Sequence, residues 1–259
     1  MDYLVFRLYG PMASWGEIAV GEARHSASYP SKSAVCGLLA AALGIDRSED
    51  ATHQAIAEGY QQAVKMVSSG SLLRDYHTAQ APDAAGKFRY RTRRDELIHG
   101  KDRLGTILSN REYRADSQAI VALRTNKIAP YTLLQIQQAL LTPVFHLYLG
   151  RKSCPLSAPL DPQMVDTNNF KSALDNYLSR PLLFSDSSWD SETRWLKQDP
   201  LVRYYWEGVP EDFALMEDED FNPNHLHKLI RHDKPLSRQR WQFQSRTEYL
   251  WLGQQKDTR

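Results

Sequence analysis

The stretch Leu147-Tyr148-Leu149-Gly150-Arg151-Lys152-Ser153-Cys154-Pro155 decides how the chain is read. Alternating apolar residues run up to a glycine, the pattern of a buried strand reaching its end. Two cations, a hydroxyl and a thiol follow, and Pro155 forbids simple continuation of regular structure. Gly150 lets the backbone approach a ligand closely or take a positive φ. Arg151 offers a planar fork of donors and Lys152 a mobile point charge, a pair suited to phosphate oxygens. Turn amides beside them add donors to the same anion site. The same residues also suit a solvated turn whose cations touch nothing, so spacing alone leaves both readings open. The G-x-x-x-x-G-K-[ST] spacing of a Walker loop is absent.

With 144–149 taken as a final strand, the preceding elements assemble around it. Residues 3–9 alternate as a strand, with Leu4, Phe6 and Leu8 on one side and Val5, Arg7 and Tyr9 on the other. Trp15, just after it, reads as a core plug or a base-stacking surface. Ser31-Lys32-Ser33 opens a helix whose stripe is Val35, Leu38, Leu39, Ala42 and Leu43, with Gly44 closing it. That serine-flanked start is either an ordinary cap or an anion site. A short helix follows at 53–60. Residues 62–67 and 72–78 read as two strands of a hairpin around Ser68-Ser69-Gly70, and a helix spans about 131–141. Strand, helix, two strands, helix, strand is the ferredoxin-like split βαβ arrangement, an α+β fold shared with RNA-recognition modules. A further strand at 119–123 is extra in this count and is expected beside 72–78.

Between these strands lies a long excursion. Lys87, Arg89, Arg91 and Arg93 alternate with Phe88 and Tyr90, so an extended segment would hold phosphates on one face and stack bases or a partner on the other. A solvated hairpin arm is the simpler alternative, but a loop of this length in a compact domain is usually functional. Arg74-Asp75-Tyr76-His77-Thr78 and Arg111-Glu112-Tyr113-Arg114 bracket it, supplying either RNA contacts or an Arg–carboxylate lock at its root.

After Pro155 the chain reads as an irregular tether, a helix within 168–178, and strands at 202–206 and 243–252. His225, His227 and His232 lack a helical i, i+4 pair or a neighbouring cysteine and are read as surface residues rather than metal ligands. The 259 residues carry 42% hydrophobic content and a net charge of +1, so nucleic-acid binding would have to come from local clustering. Basic residues crowd 74–114, whereas Glu217-Asp218-Glu219-Asp220 is an acidic run. Cys36 and Cys154 form no Cys-x-x-Cys pair, the first residues carry no signal-peptide pattern, and no apolar run reaches spanning length. A cytoplasmic, reduced protein without membrane attachment is expected.

Several stretches occur in the same order in one family: the 10–16 turn Gly-Pro-Met-Ala-Ser-Trp-Gly, the helix from Pro30-Ser31-Lys32-Ser33 to Gly44-Ile45, Arg74-Asp75-Tyr76-His77-Thr78, Arg111-Glu112-Tyr113, and the Leu149-Gly150-Arg151-Lys152-Ser153-Cys154-Pro155 run. They resemble the type I-E branch of the fifth CRISPR-associated (Cas) protein family, in the RAMP superfamily. Arg231-His232-Asp233-Lys234-Pro235 and Gln242-Phe243-Gln244-Ser245-Arg246 look like its C-terminal end. The resemblance implies a ferredoxin-like RAMP domain over 1–160, a basic β-hairpin thumb over about 79–116 and a β-containing extension over 161–259.

It also implies a noncatalytic subunit of Cascade, the crRNA-guided surveillance complex of antiviral defence. The subunit would cap the crRNA 5′ handle and contact the backbone and large subunits, with target DNA read through the guide. RNA contacts are then expected from Tyr148, Gly150, Arg151, Lys152, Ser153 and Cys154 in the glycine loop. Arg24, Lys32 and Ser33 would line the same groove, and Arg74, Tyr76, His77, Lys87, Arg89, Arg91, Arg111 and Arg114 would serve on the arm. No cofactor or metal is called for. The alternative is a metal-independent endoribonuclease that processes repeat RNA. That chemistry needs a base, a proton donor and a cation at one phosphate, for which Tyr76, His77 and Lys152 are the available groups.

Overall fold

The computed structural model describes residues 1–19, 21–83, 89–181, 196, 198–214 and 221–254. The expectations for Lys87 and for the 217–220 acidic run lie outside the described residues.

The strands are β1 (Asp2–Tyr9), the short β2 (Met12–Ala13), β3 (Trp15–Gly16), β4 (Ala23–Arg24) and β5 (Ser26–Ala27), then β6 (Tyr60–Ser68), β7 (Ser71–Pro82), β8 (Leu104–Ala115), β9 (Gln118–Thr125), β10 (Gln163–Asp166), β11 (Leu201–Trp206), β12 (Leu226–Ser237) and β13 (Gln242–Gln254). The helices are α1 (Lys32–Leu43), α2 (Asp50–Gly59), α3 (Arg93–Ile98), α4 (Leu133–Leu141) and α5 (Phe170–Asp175). One antiparallel sheet runs β10-β1-β9-β6-β11-β13-β12. Its first four strands, with α1 and α4 as crossovers, are the ferredoxin-like core.

This topology corrects the expected strand assignments. β6 does not pair with β7: it pairs with β9 and β11, while β7 pairs with β8 in a second sheet. The strand read as extra, β9, is central, lying between β1 and β6. Residues 144–149 form no strand. Val144 and Phe145 donate instead to the carbonyls of Ala42 and Ala41 at the end of α1, and only an isolated Tyr148–Pro155 bridge follows. The fourth strand of the core is β10, so the boundary drawn at residue 160 falls within one sheet, which β11, β13 and β12 then extend.

Helix α1 forms as its sequence demands. Ser31 accepts from the Ala34 amide at the N-cap, and Gly44, at φ 78°, closes the helix in the left-handed region. Its buried face joins Leu4, Phe6 and Leu8 of β1 and Ile136 and Leu140 of α4 in the main core. The opposite face of the sheet is covered too: Tyr3 and Val5 pack with Phe170 and Leu174 of α5 and with Trp206, Phe213 and Trp251. This second cover explains why every residue of β1 after Asp2 is buried. No described helix is long and apolar enough to cross a membrane.

The arm is longer and more regular than its sequence suggests. β7 and β8 pair continuously from Ser71–Ala115 to Pro82–Leu104. Near the far end, the segment expected to be extended turns into α3, where Thr92 and Asp95 cap each other's backbone amides. The alternation of Arg89, Arg91 and Arg93 on one strand face is therefore overturned. Arg89 and Arg91 are exposed in irregular chain, and Arg93 starts the helix.

Candidate nucleic-acid interface at the root of the arm

The glycine loop is held against the β1–β2 corner. Ser14 N donates to Leu149 O at 3.0 Å, Leu149 N to Cys154 O at 2.8 Å and Cys154 N to Arg151 O at 2.9 Å. Gly150 sits at φ 85°, and a Cβ there would lie 1.9 Å from the Ser14 carbonyl oxygen, so both handedness and space require glycine. Lys152 and Ser153 project at the surface.

Arg151 is half-buried and reaches the arm. Its guanidinium donates to Glu112 O at 3.4 Å and Arg24 O at 3.3 Å, and lies 4.9 Å from the centre of the Tyr113 ring. Arg24 stands beside Arg111 in the β4–β8 pairing. Arg74 and His25 both approach the Glu112 carboxylate, at 3.2 Å and 3.4 Å, while the Ser26 amide donates to its other oxygen. Burial pushes the Glu112 carboxyl up, but the Ser26 amide, His25 and Arg74 outweigh it and hold the pKa below the usual range. Arg74 and His25 thus meet the Glu112 carboxylate, and Arg151 meets its backbone carbonyl. Arg111 lies on the other face of the arm, opposite Asp75 and beside Arg24, with Lys152 exposed on the glycine loop. Positive charge exceeds negative at an exposed surface, the condition for anion capture.

The strand register divides the remaining expected contacts. Arg74 and Tyr76 pair with Glu112 and Asn110, whereas His77 pairs with Ser109 and Asp75 with Arg111. Successive strand residues point to opposite faces, so Tyr76 and His77 cannot converge on one phosphate from this arm. Arg114 is half-buried where β8 meets β2, its Nε enclosed without a hydrogen-bond partner. Tyr148 is half-buried at the entrance to the loop.

Two expected contacts are corrected. Cys154 is wholly buried, and burial pushes its thiol pKa up, so it serves the loop's packing rather than a ligand. Lys32 is 2% exposed: its ammonium pairs with Glu207 and donates to Tyr60 O, and its amide donates to Asp233 at 2.8 Å. The anion at the start of α1 is therefore the protein's own carboxylate. Ser33 is half-buried there too, its hydroxyl 3.0 Å from that of Ser31. Sequence reading missed the rest of this cluster. Arg246 binds Asp233 and Glu248, Arg231 lies near the same carboxylates, and Tyr29 donates to Glu248 at 2.5 Å.

The fold is a ferredoxin-like α+β sheet bearing a long two-stranded arm, with cations exposed where arm and glycine loop meet, an architecture that falls among CRISPR-associated proteins. The chain belongs to the CRISPR-associated protein (Cas_Cas5) family, whose model matches residues 3–249. It is 34% identical over 184 residues to the CRISPR system Cascade subunit CasD of Escherichia coli (strain K12), across 68% of this chain and 77% of that protein. A chain from a CRISPR RNA-guided surveillance complex shares the fold, with a TM-score of 0.62 and 23% identity over 97% of this chain and 90% of its own. A crystal structure described as a Cas protein does so at a TM-score of 0.54 and 24% identity, over 97% of this chain and 95% of its own.

Proposed function

We propose that this chain is a noncatalytic Cascade subunit that holds the 5′ handle of a crRNA at the root of its arm. The observation that carries the reading is the Gly150 turn, fixed by an obligate glycine, from which Arg151 reaches the Arg24 and Glu112 carbonyls and Lys152 is exposed, with Arg111 beside Arg24 on the arm. The similarity to a Cascade subunit supplies the assembly in which such a site would work. Arginine forks and a lysine point charge suit a phosphate path, and the handle would be held by backbone and shape while the guide reads target DNA.

The arm suits protein contact as well as RNA. Leu97, Ile98 and Ile107 expose 44%, 57% and 53% of their surface, more apolar display than a solvated hairpin needs. A neighbouring backbone subunit is the proposed occupant of that surface. Docking of the large subunit belongs to the same reading. Cleavage is disfavoured because the acid–base pair it would use is split between opposite faces of β7.

The test mixes the pure protein with labelled repeat RNA, with and without chelator, and compares Arg151→Ala and Lys152→Ala. Intact RNA, together with loss of handle retention in reconstituted Cascade for both variants, supports the cap. Defined cleavage that survives chelator and disappears in His77→Ala would make the protein the processing nuclease.

A further inference from the structure

The β12–β13 turn, Ser237-Arg238-Gln239-Arg240-Trp241, lies outside the arm root and is built with unusual care. The Asp50 carboxylate accepts from the Ser237 hydroxyl at 2.6 Å and from the amides of Arg238 and Gln239 at 2.8 Å and 3.2 Å. Ser237 Oγ in turn accepts from Arg240 N at 3.1 Å, and Arg47 Nε donates to Arg238 O at 3.0 Å. This anchored turn holds Trp241 at φ 52°, a left-handed conformation that a bulky residue adopts only under constraint, yet leaves the side chain 61% exposed. The Arg47 guanidinium stacks 4.1 Å from the centre of the Trp241 ring.

The nearby carboxylates are engaged locally, although Asp46 and Glu49 are exposed: Asp46 accepts from the Ser48 amide and hydroxyl, Glu49 from the Asp46 amide, and Asp50 from the turn. Arg47 and Arg240 face solvent. Arg238 lies across α1 and donates to Ser33 O; a Cβ on Gly37 would stand 2.7 Å from its Nη2, so glycine makes room for the guanidinium. No carboxylate pairs with that guanidinium among the described residues, and its Nε is enclosed without a hydrogen-bond partner. Burial lowers its pKa.

We infer that Trp241, with Arg47, Arg238 and Arg240, forms a second RNA subsite that stacks one unpaired base on the open indole face and holds its phosphate among the three guanidiniums. An exposed indole backed by a cation suits a single-stranded base, because every base offers a π-face. The inference rests on the RNA-binding reading above.

The test measures affinity of the full-length chain for a fluorescently labelled single-stranded RNA and for its duplex, across a salt series. Trp241→Ala should weaken single-strand binding roughly 5- to 100-fold, the range of one lost base–aromatic stack, while Trp241→Phe retains most of it. Arg240→Ala, which does not touch the ring stack, should flatten the log–log salt dependence by about 0.7, one phosphate on a single strand. Wild-type affinity in Trp241→Ala, with loss in Lys152→Ala, overturns the subsite and leaves the cap intact. The converse pattern upholds the subsite and removes the cap, whereas no RNA binding by the unaltered chain overturns both. If Trp241→Ala loses subunit assembly but keeps RNA affinity, the turn is a protein contact and the inference fails.

Discussion

The charged cluster at the start of α1 and the one at the root of the arm use the same residue types and end in opposite states. In the first, Lys32, Arg231 and Arg246 face Glu207, Asp233 and Glu248, and the whole group is largely buried between helix, sheet and β12–β13 hairpin. In the second, Arg74 and His25 face the Glu112 carboxylate and Arg151 its carbonyl. Arg24 and Arg111 stand side by side on the other face of the arm with Asp75, Lys152 is on the glycine loop, and most of the cations remain at the surface. Burial of a guanidinium or ammonium requires a carboxylate and further hydrogen bonds. The difference between a structural rivet and an anion site is therefore the carboxylate supply, not the presence of Lys or Arg.

Removing one partner from the balanced cluster should break the comparison most severely. Asp233 accepts from Lys32 N and binds Arg246 at 2.6 Å, so Asp233→Ala strands two buried donors. A loss of about 3–5 kcal/mol in denaturant-unfolding stability is expected, against a change within about 0.5 kcal/mol for Lys152→Ala at the open cluster. Equal effects would erase the distinction. The pH dependence sharpens it. Burial pushes the Asp233 carboxyl up, but the hydrogen bonds and charge of Arg246, with Arg231, outweigh it and hold the folded-state pKa low. Its stabilisation is complete above the unfolded carboxylate pKa, about 3.9, and fades as pH falls through the depressed folded value. The acid-side decline should be shallower in Asp233→Ala.

Gly150→Ala is the next largest effect, now on the open side. The left-handed φ and the Ser14 oxygen together force the loop to move, which should cost more than about 1 kcal/mol of stability and weaken RNA binding more than Lys152→Ala does. Retention of wild-type affinity in Gly150→Ala would separate the turn from the site.

The residues of these two regions were not equally legible. α1 and the Gly150 turn announce themselves through a cap, an apolar stripe and a glycine followed by cations. β12 does not, because the residues it turns inward include Arg231 and Asp233, and a strand whose buried face is ionic shows no apolar alternation. For that reason Lys32 looked available. The arm's length was hidden for the opposite cause: β7 and β8 are largely exposed on both faces, so no burial pattern marks their register. Ser68-Ser69-Gly70 resembled a hairpin turn but is an elbow from one sheet to another, a choice made by distant partners β9, β11 and β8. The apolar alternation at 144–149 reflects the burial of Leu147 and Leu149, which needs no paired strand.

At the open cluster, Arg111→Ala should lower RNA affinity and reduce the magnitude of the log–log salt slope by about 0.7 while leaving unfolding stability unchanged. Arg111 is exposed, stands beside Arg24 and holds no carboxylate in a close ion pair among the described residues, so its removal leaves nothing buried and unpaired. A slope equal to that of the wild type would place the RNA away from the β4–β8 edge and leave the glycine loop to hold it alone.

The smallest effect is also the most discriminating. Glu112 is the buried carboxylate of the open cluster, and it orients Arg74 and His25 while accepting from the Ser26 amide. Glu112→Gln keeps an acceptor for that amide and removes the charge. If carboxylate supply decides the fate of each cluster, the variant should bind RNA roughly two- to fivefold more tightly at low salt, the scale of one unit charge acting across a partly screened site. The gain should vanish as salt rises. Weaker binding at every salt concentration would mean that Glu112 aims the cations rather than offsets them. The root would then be a shaped site, in which geometry counts for more than net charge.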